Sequence, residues 1–137
     1  MSHPDGLPDL FLDRSLGRKK VPELLRAEGL RLVTLAEHYG IPHDETVEDV
    51  EWLQLCGKRG WFAVMKDDRI RYVGAERRAL VDSRVRAAVI TNANLPAPEM
   101  VERIIRALTD LAAICEEREG PFLFALQQNR LDEISLE

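Results

Sequence analysis

Several marks of a specialised environment are missing from this chain. Cysteine occurs only twice, at Cys56 and Cys115, far apart and in segments patterned as helices. No Cys/His cluster accompanies either residue, so each reads as a buried reduced thiol. No apolar run approaches the roughly 20 residues that span a bilayer. The opening MSHPDGLPDLFLD lacks the basic and then hydrophobic order of a secretion signal. A cytoplasmic protein without membrane association is therefore expected. Internal repeats, low-complexity tracts and interdomain linkers are absent as well. An excess of positive charge is also missing: the net charge of −5 argues against a broadly basic nucleic-acid-binding surface.

What is present describes one ordinary domain. With 137 residues, 45% hydrophobic and 31% charged, the chain has the size and composition for a single core. Residues 1–8, with two prolines and a glycine, read as a loose leader, and 9–137 as the domain. Charge is unevenly spread. Residues 58–86 hold nine Lys/Arg against four acids, whereas 116–137 holds two Arg against six acids. Such a basic middle attracts phosphates locally even on an acidic protein, because the field in a cleft follows the nearby charges. A solvated, arginine-rich face is the plainer alternative.

Strand and helix patterns alternate. LFL, Leu10 to Leu12, is a short apolar strand closing on Asp13, and Val21 to Glu28 patterns as a helix with Pro22 in its first turn and Gly29 as its stop. LRLVTLA follows as a strand. DETVEDVEWLQLCGKRG carries Val50, Trp52, Leu53 and Cys56 at helical spacing and ends at Gly57 and Gly60. WFAVM is the third strand, VGAERRALVDS a helix, RAAVIT the fourth strand, Ala97 to Glu119 a long amphipathic helix and PFLFAL the fifth strand. This order predicts an α/β fold, a three-layer α/β/α sandwich around a mostly parallel central sheet. Right-handed crossovers bring every strand's carboxyl end to one edge, where ligands of such sheets bind.

The residues at that edge are acidic. Asp13 follows the first strand, Asp67 and Asp68 the third, and Thr91 and Asn92 the fourth. In a 2-1-3-4-5 strand order Asp13 and Asp67 converge, and two such carboxylates repel unless a cation or proton lies between them. Hard oxygen donors of this kind suit Mg²⁺ or Mn²⁺. Asp49 opens the middle helix and could add a third acid, although Thr46-x-x-Asp49 also fits a capping box. Glu48 and Glu51 are weaker candidates, and Asp44 and Glu45 read as solvated acids. The cations Lys66, Arg69 and Arg71 surround the acid pair, and Arg14 follows Asp13. His38 reads as a surface residue, and Trp52 and Trp61 as core rather than as base-stacking platforms.

FLDRSLGRKKVPELLRAEG followed by VEDVEWLQLCGKRGWFAVMKDDRIRY resembles the PIN-domain superfamily, in particular the short PIN-like branch that includes VapC-type toxins. The resemblance covers most of residues 9–95. It implies a Mg²⁺-dependent ribonuclease, the toxin of a toxin–antitoxin pair, with Asp13, Asp49 and Asp67 as catalytic, metal-binding acids and Asp68 as a fourth acid or a supporting partner. Lys66, Arg69, Arg71 and Arg14 would guide RNA, and a cognate antitoxin would cover the site. A homodimer through the flank of the long helix stays open. Two departures stand out: many PIN domains have Glu where Asp49 stands, and a further acid after the next strand, where this chain has Thr91, Asn92 and Asn94. Two other readings share the fold order. A receiver-like phosphoacceptor module would want a Lys closing the fifth strand and an acid pair near the first, and neither is present. An inactive PIN-like interaction domain is the third.

Overall fold

The computed structural model describes residues 2–66, 74–91 and 94–136. Asp67, Asp68, Arg69, Arg71 and Asn92 lie outside them. A six-stranded sheet runs in the order β2-β1-β3-β4-β5-β6, where β1 is Leu10–Leu12, β2 Leu32–Thr34, β3 Phe62–Met65, β4 Arg86–Val89, β5 Phe122–Leu126 and β6 Leu131–Glu133. The first five strands are parallel and β6 is antiparallel to β5. The intervening helices are α1 (Lys20–Ala27), α2 (Leu35–Tyr39), α3 (Asp49–Arg59), α4 (Gly74–Asp82) and α5 (Ala97–Glu117).

Strand alternation divides the core between two faces. Leu10, Leu12, Phe62, Val64, Ala88, Phe122 and Phe124 pack against Val21 and Leu25 of α1 and against Met100, Ile104, Leu108 and Leu111 of α5. Phe11, Ala63, Met65, Ala87, Val89 and Leu123 face Trp52, Leu53 and Cys56 of α3 and Leu80 of α4. Full burial of side chains such as Ile104 and Leu111 contributes about 1.5–3 kcal/mol each before entropy is counted. The central strands read as continuous apolar runs because both of their faces are covered.

Several local features differ from the sequence reading. The leading segment is anchored at His3 and Leu7, which are buried; the His3 Nδ1 accepts from the Arg31 N–H at 3.0 Å, and its Nε2 lies 2.9 Å and 3.0 Å from the Leu7 and Pro8 carbonyls. LRLVTLA yields only three strand residues, because Thr34 caps α2. The Thr34 hydroxyl accepts from the Glu37 N–H, and the Glu37 carboxylate accepts from the Thr34 N–H. Gly57 does not stop α3; a Cβ there would sit 2.3 Å from the Ser83 carbonyl oxygen, so the glycine admits close packing against the end of α4. Gly60, left-handed at φ 71°, is the stop. Strand β6 was not anticipated, since Leu-Asp-Glu carries no strand pattern and forms only by pairing with the free edge of β5.

Candidate active site at the carboxyl edge of the sheet

Register fixes where Asp13 stands. Leu12 pairs with Thr34 on one side and Val64 on the other, and the Asp13 N–H donates to the Val64 carbonyl at 3.1 Å. The side chain therefore emerges at the carboxyl end of β1, beside the end of β3. It is 6% exposed, an unusual burial for an acid. Ser15 donates its hydroxyl to Asp13 Oδ2 at 2.8 Å and accepts the Lys66 N–H at 2.9 Å. One serine thus ties the acid to the residue that precedes Asp67. Oδ1 is buried and has no hydrogen-bond partner among the described residues.

That orphaned oxygen is an expensive arrangement for an ion. Burial is the main reason the Asp13 carboxyl is pushed above its ordinary pKa. The Ser15 hydroxyl pulls it down, the neighbouring charge of Asp49 raises it, and the backbone N–H groups of Arg14 and Ser15 lower it. The two acids consequently share one field. Asp49 is the first residue of α3, behind an N-cap at Glu48, and it accepts from the Trp52 indole N–H at 2.9 Å. Trp52 is itself buried and stacks on Phe11 at 5.6 Å between centroids. Strand β1, which leads into Asp13, and helix α3, which opens on Asp49, thus meet through an aromatic contact. The capping box open to Thr46 and Asp49 does not form; the Thr46 hydroxyl donates to the His43 carbonyl instead.

An open cavity of about 370 Å³ lies on the Asp49 side of the pair, lined by Arg14, Thr46, Glu48, Asp49, Ala75 and Glu76 among others; Asp13 does not line it. Glu76, in the first turn of α4, is an acid that the sequence reading did not single out. Glu51 turns elsewhere and interacts with Tyr39. Arg14 is committed locally: its guanidinium donates to the Asp44 and Val47 carbonyls at 2.6 Å and 3.0 Å. Among the described residues no three His, Cys, Asp or Glu side chains close on a metal position, and Asp67 and Asp68 lie outside that set. Asp13 and Asp49 still supply hard oxygens, an unsatisfied lone pair and mutual repulsion that a cation would relieve.

Other candidates fall away from this edge. His38 is exposed and lies edge-on to Tyr39 and Trp61. Trp61 precedes β3 at the opposite edge, stacked on Phe11. Cys56 and Cys115 are free and buried, and burial pushes both thiols above their ordinary pKa. No helix among the described residues is long and apolar enough to cross a membrane.

Residues 8–92 match the family described as "PIN like domain". The chain belongs to the PIN-like family. It is also 34% identical over 125 residues to a Mycobacterium tuberculosis (strain ATCC 25618 / H37Rv) protein named "Putative ribonuclease VapC45", covering 91% of this chain and 90% of that one. No solved structure matches. The matched span of this PIN-like domain contains Asp13, Ser15, Asp44, Asp49 and Asp67, and it ends just after β4. Helix α5 and strands β5 and β6, which complete the sheet and its second face, lie beyond it. Membership in this family gives the edge acids a context that the receiver-like alternative, built on the same strand order, does not share.

Proposed function

We propose that this PIN-like domain is a metal-dependent endoribonuclease, the toxin of a type II toxin–antitoxin pair, that hydrolyses RNA phosphodiester bonds. The observation that carries the reading is the buried Asp13 carboxylate, with Oδ1 unpartnered among the described residues and the charge of Asp49 beside it. A ribonuclease name on a relative that matches nine-tenths of the chain supports it.

Asp13 and Asp49, with Asp67 from the segment after β3, would hold Mg²⁺ or Mn²⁺; Asp68 would assist. When bound, such an ion supplies positive charge to the scissile phosphate and makes water acidic enough to act as a nucleophile near neutral pH. The protein's own contribution is placement. Ser15 holds Oδ2, while Oδ1 has no hydrogen-bond partner among the described residues and is the oxygen that a cation would take up. Trp52 fixes one oxygen of Asp49 in the same way. Bare carboxylates would repel a phosphate, so RNA approaches only once their charge is met, and Lys66, Arg69 and Arg71 draw the backbone toward the edge. Arg14, the fourth cation expected there, donates to two carbonyls and so holds its own loop. A cognate antitoxin would cover this edge until removed.

The reading is tested by incubating purified, antitoxin-free protein with a labelled total-RNA pool and either Mg²⁺, Mn²⁺ or excess EDTA. New fragments with divalent ions and none with EDTA are expected. Intact RNA under all three conditions would favour an inactive interaction domain. A pH profile adds a sharper expectation: Ser15→Ala removes a bond that lowers the Asp13 pKa. A higher pH is then needed to ionise Asp13, and the acidic limb of the cleavage profile moves upward.

A further inference from the structure

Asp49 opens α3 whereas Asp13 stands after β1, and something must hold the segment before α3 in register with the turn after β1. The segment before α3 makes a 3-10 turn, His43–Glu45, whose central residue Asp44 is buried at 1% exposure. Its carboxylate accepts two bonds from Arg18, Nε to Oδ2 at 2.9 Å and Nη2 to Oδ1 at 2.8 Å. Arg14 binds the backbone of the same segment, at the Asp44 and Val47 carbonyls. Arg14 and Arg18 both come from the stretch directly after Asp13. Val47, the second anchor, stands two residues before Asp49. The Arg18 guanidinium also holds the Asp44 carboxyl below its ordinary pKa, which favours the charged pair.

We propose that Arg14, Arg18 and Asp44 form a positioning clamp that locks the loop before α3 onto the turn after β1 and thereby sets the spacing of Asp13 and Asp49 on which divalent-cation affinity depends. The inference rests on the metal-site reading above. None of the three residues touches the ion; they act through the acids they hold in place. Two fixed contacts are needed because a loop tied at one point still pivots. Arg14 grips the carbonyls of Asp44 and Val47, three residues apart, while the bidentate Arg18–Asp44 pair fixes the side chain of the first of them.

A competing role for the arginines, simple electrostatics, predicts the opposite sign. A positive charge beside two carboxylates weakens their hold on a cation, so deleting it should tighten binding. The clamp predicts that deletion loosens it. Mn²⁺ binding to the full chain, read by the loss of the free-ion electron paramagnetic resonance signal, separates the two, with thermal melting recorded for every variant. Arg14→Ala and Arg18→Ala are expected to bind Mn²⁺ about 10-fold or more weakly than wild type while remaining folded, the size usual for residues that orient metal ligands. Arg14→Lys keeps the charge but offers one nitrogen for two carbonyls, and it too should bind more weakly. Wild-type affinity or tighter in folded Arg14→Ala and Arg14→Lys, with binding lost in Asp13→Asn, overturns the clamp alone. Failure of wild type to bind Mn²⁺ overturns the metal-site reading, and the clamp's role falls with it.

Discussion

Asp13→Asn is expected to reduce RNA cleavage by about 10³-fold or more, the loss that follows when roughly 4 kcal/mol of transition-state stabilisation disappears with a metal ligand. The substitution is nearly isosteric. Ser15 can still donate to the amide oxygen, and the Asp13 N–H bond to Val64 is untouched, so the sheet edge should keep its shape. What goes is the negative charge and one strong oxygen donor. Asp49→Asn should follow the same direction with a smaller fall, roughly 10- to 100-fold, because the indole of Trp52 can still orient its remaining oxygen. Single-turnover cleavage at saturating protein reads both losses. Wild-type rates in folded Asp13→Asn would mean that the chemistry lies elsewhere.

The second large effect concerns stability, and its sign reverses with the metal. In metal-free protein the ionised Asp13 is buried with one oxygen unpartnered among the described residues, an arrangement that costs stability. Its folded pKa is raised, so its contribution to stability is present at low pH and is lost as pH rises through that folded value. Asp13→Asn should accordingly melt higher than wild type near neutral pH without divalent ions, by a margin worth about 1 kcal/mol or more. The margin should shrink as the pH falls and wild-type Asp13 takes up its proton. Adding Mg²⁺ inverts the order. At one hundred times its dissociation constant an ion bound only to the folded state contributes about 2.7 kcal/mol, roughly a 10 °C rise in Tm for a domain of this size. Wild type should show that rise, Asp13→Asn should not, and acid should abolish it. Scanning fluorimetry across pH, with and without Mg²⁺, checks the whole pattern; equal Mg²⁺ shifts in both proteins would refute it.

How much of this was legible beforehand depends on how local each signal is. Asp13 could be found because three apolar residues run directly into it, and the two-faced burial of β1 and β3 is written as uninterrupted hydrophobic runs. The parallel order followed from the alternation of strands and helices. Asp49 had no such local mark; its spacing served a capping box equally well, and only the family resemblance favoured it over that reading. Ser15 left no trace in the sequence, and Asp44, which reads as a solvated acid, is instead buried against Arg18. The bond from Lys66 to Ser15 spans 51 residues and that from Arg14 to Asp44 spans 30, and no window of periodicity reaches so far. Strand β6 was missed for a related reason: Leu131 to Glu133 becomes a strand through its partner β5 rather than through its own side chains. The buried His3 belongs with these, since its partner is the backbone of Arg31 on the far side of α1.

The acids at the carboxyl edge are proposed to form a divalent-cation site. Anomalous diffraction from crystals soaked in Mn²⁺ tests it most directly. A peak about 2.1 Å from Oδ1 of Asp13 and within coordination reach of Asp49 is predicted, absent from crystals of Asp13→Asn. A Mn²⁺ peak elsewhere, or none at Asp13 in a well-occupied soak, would contradict it.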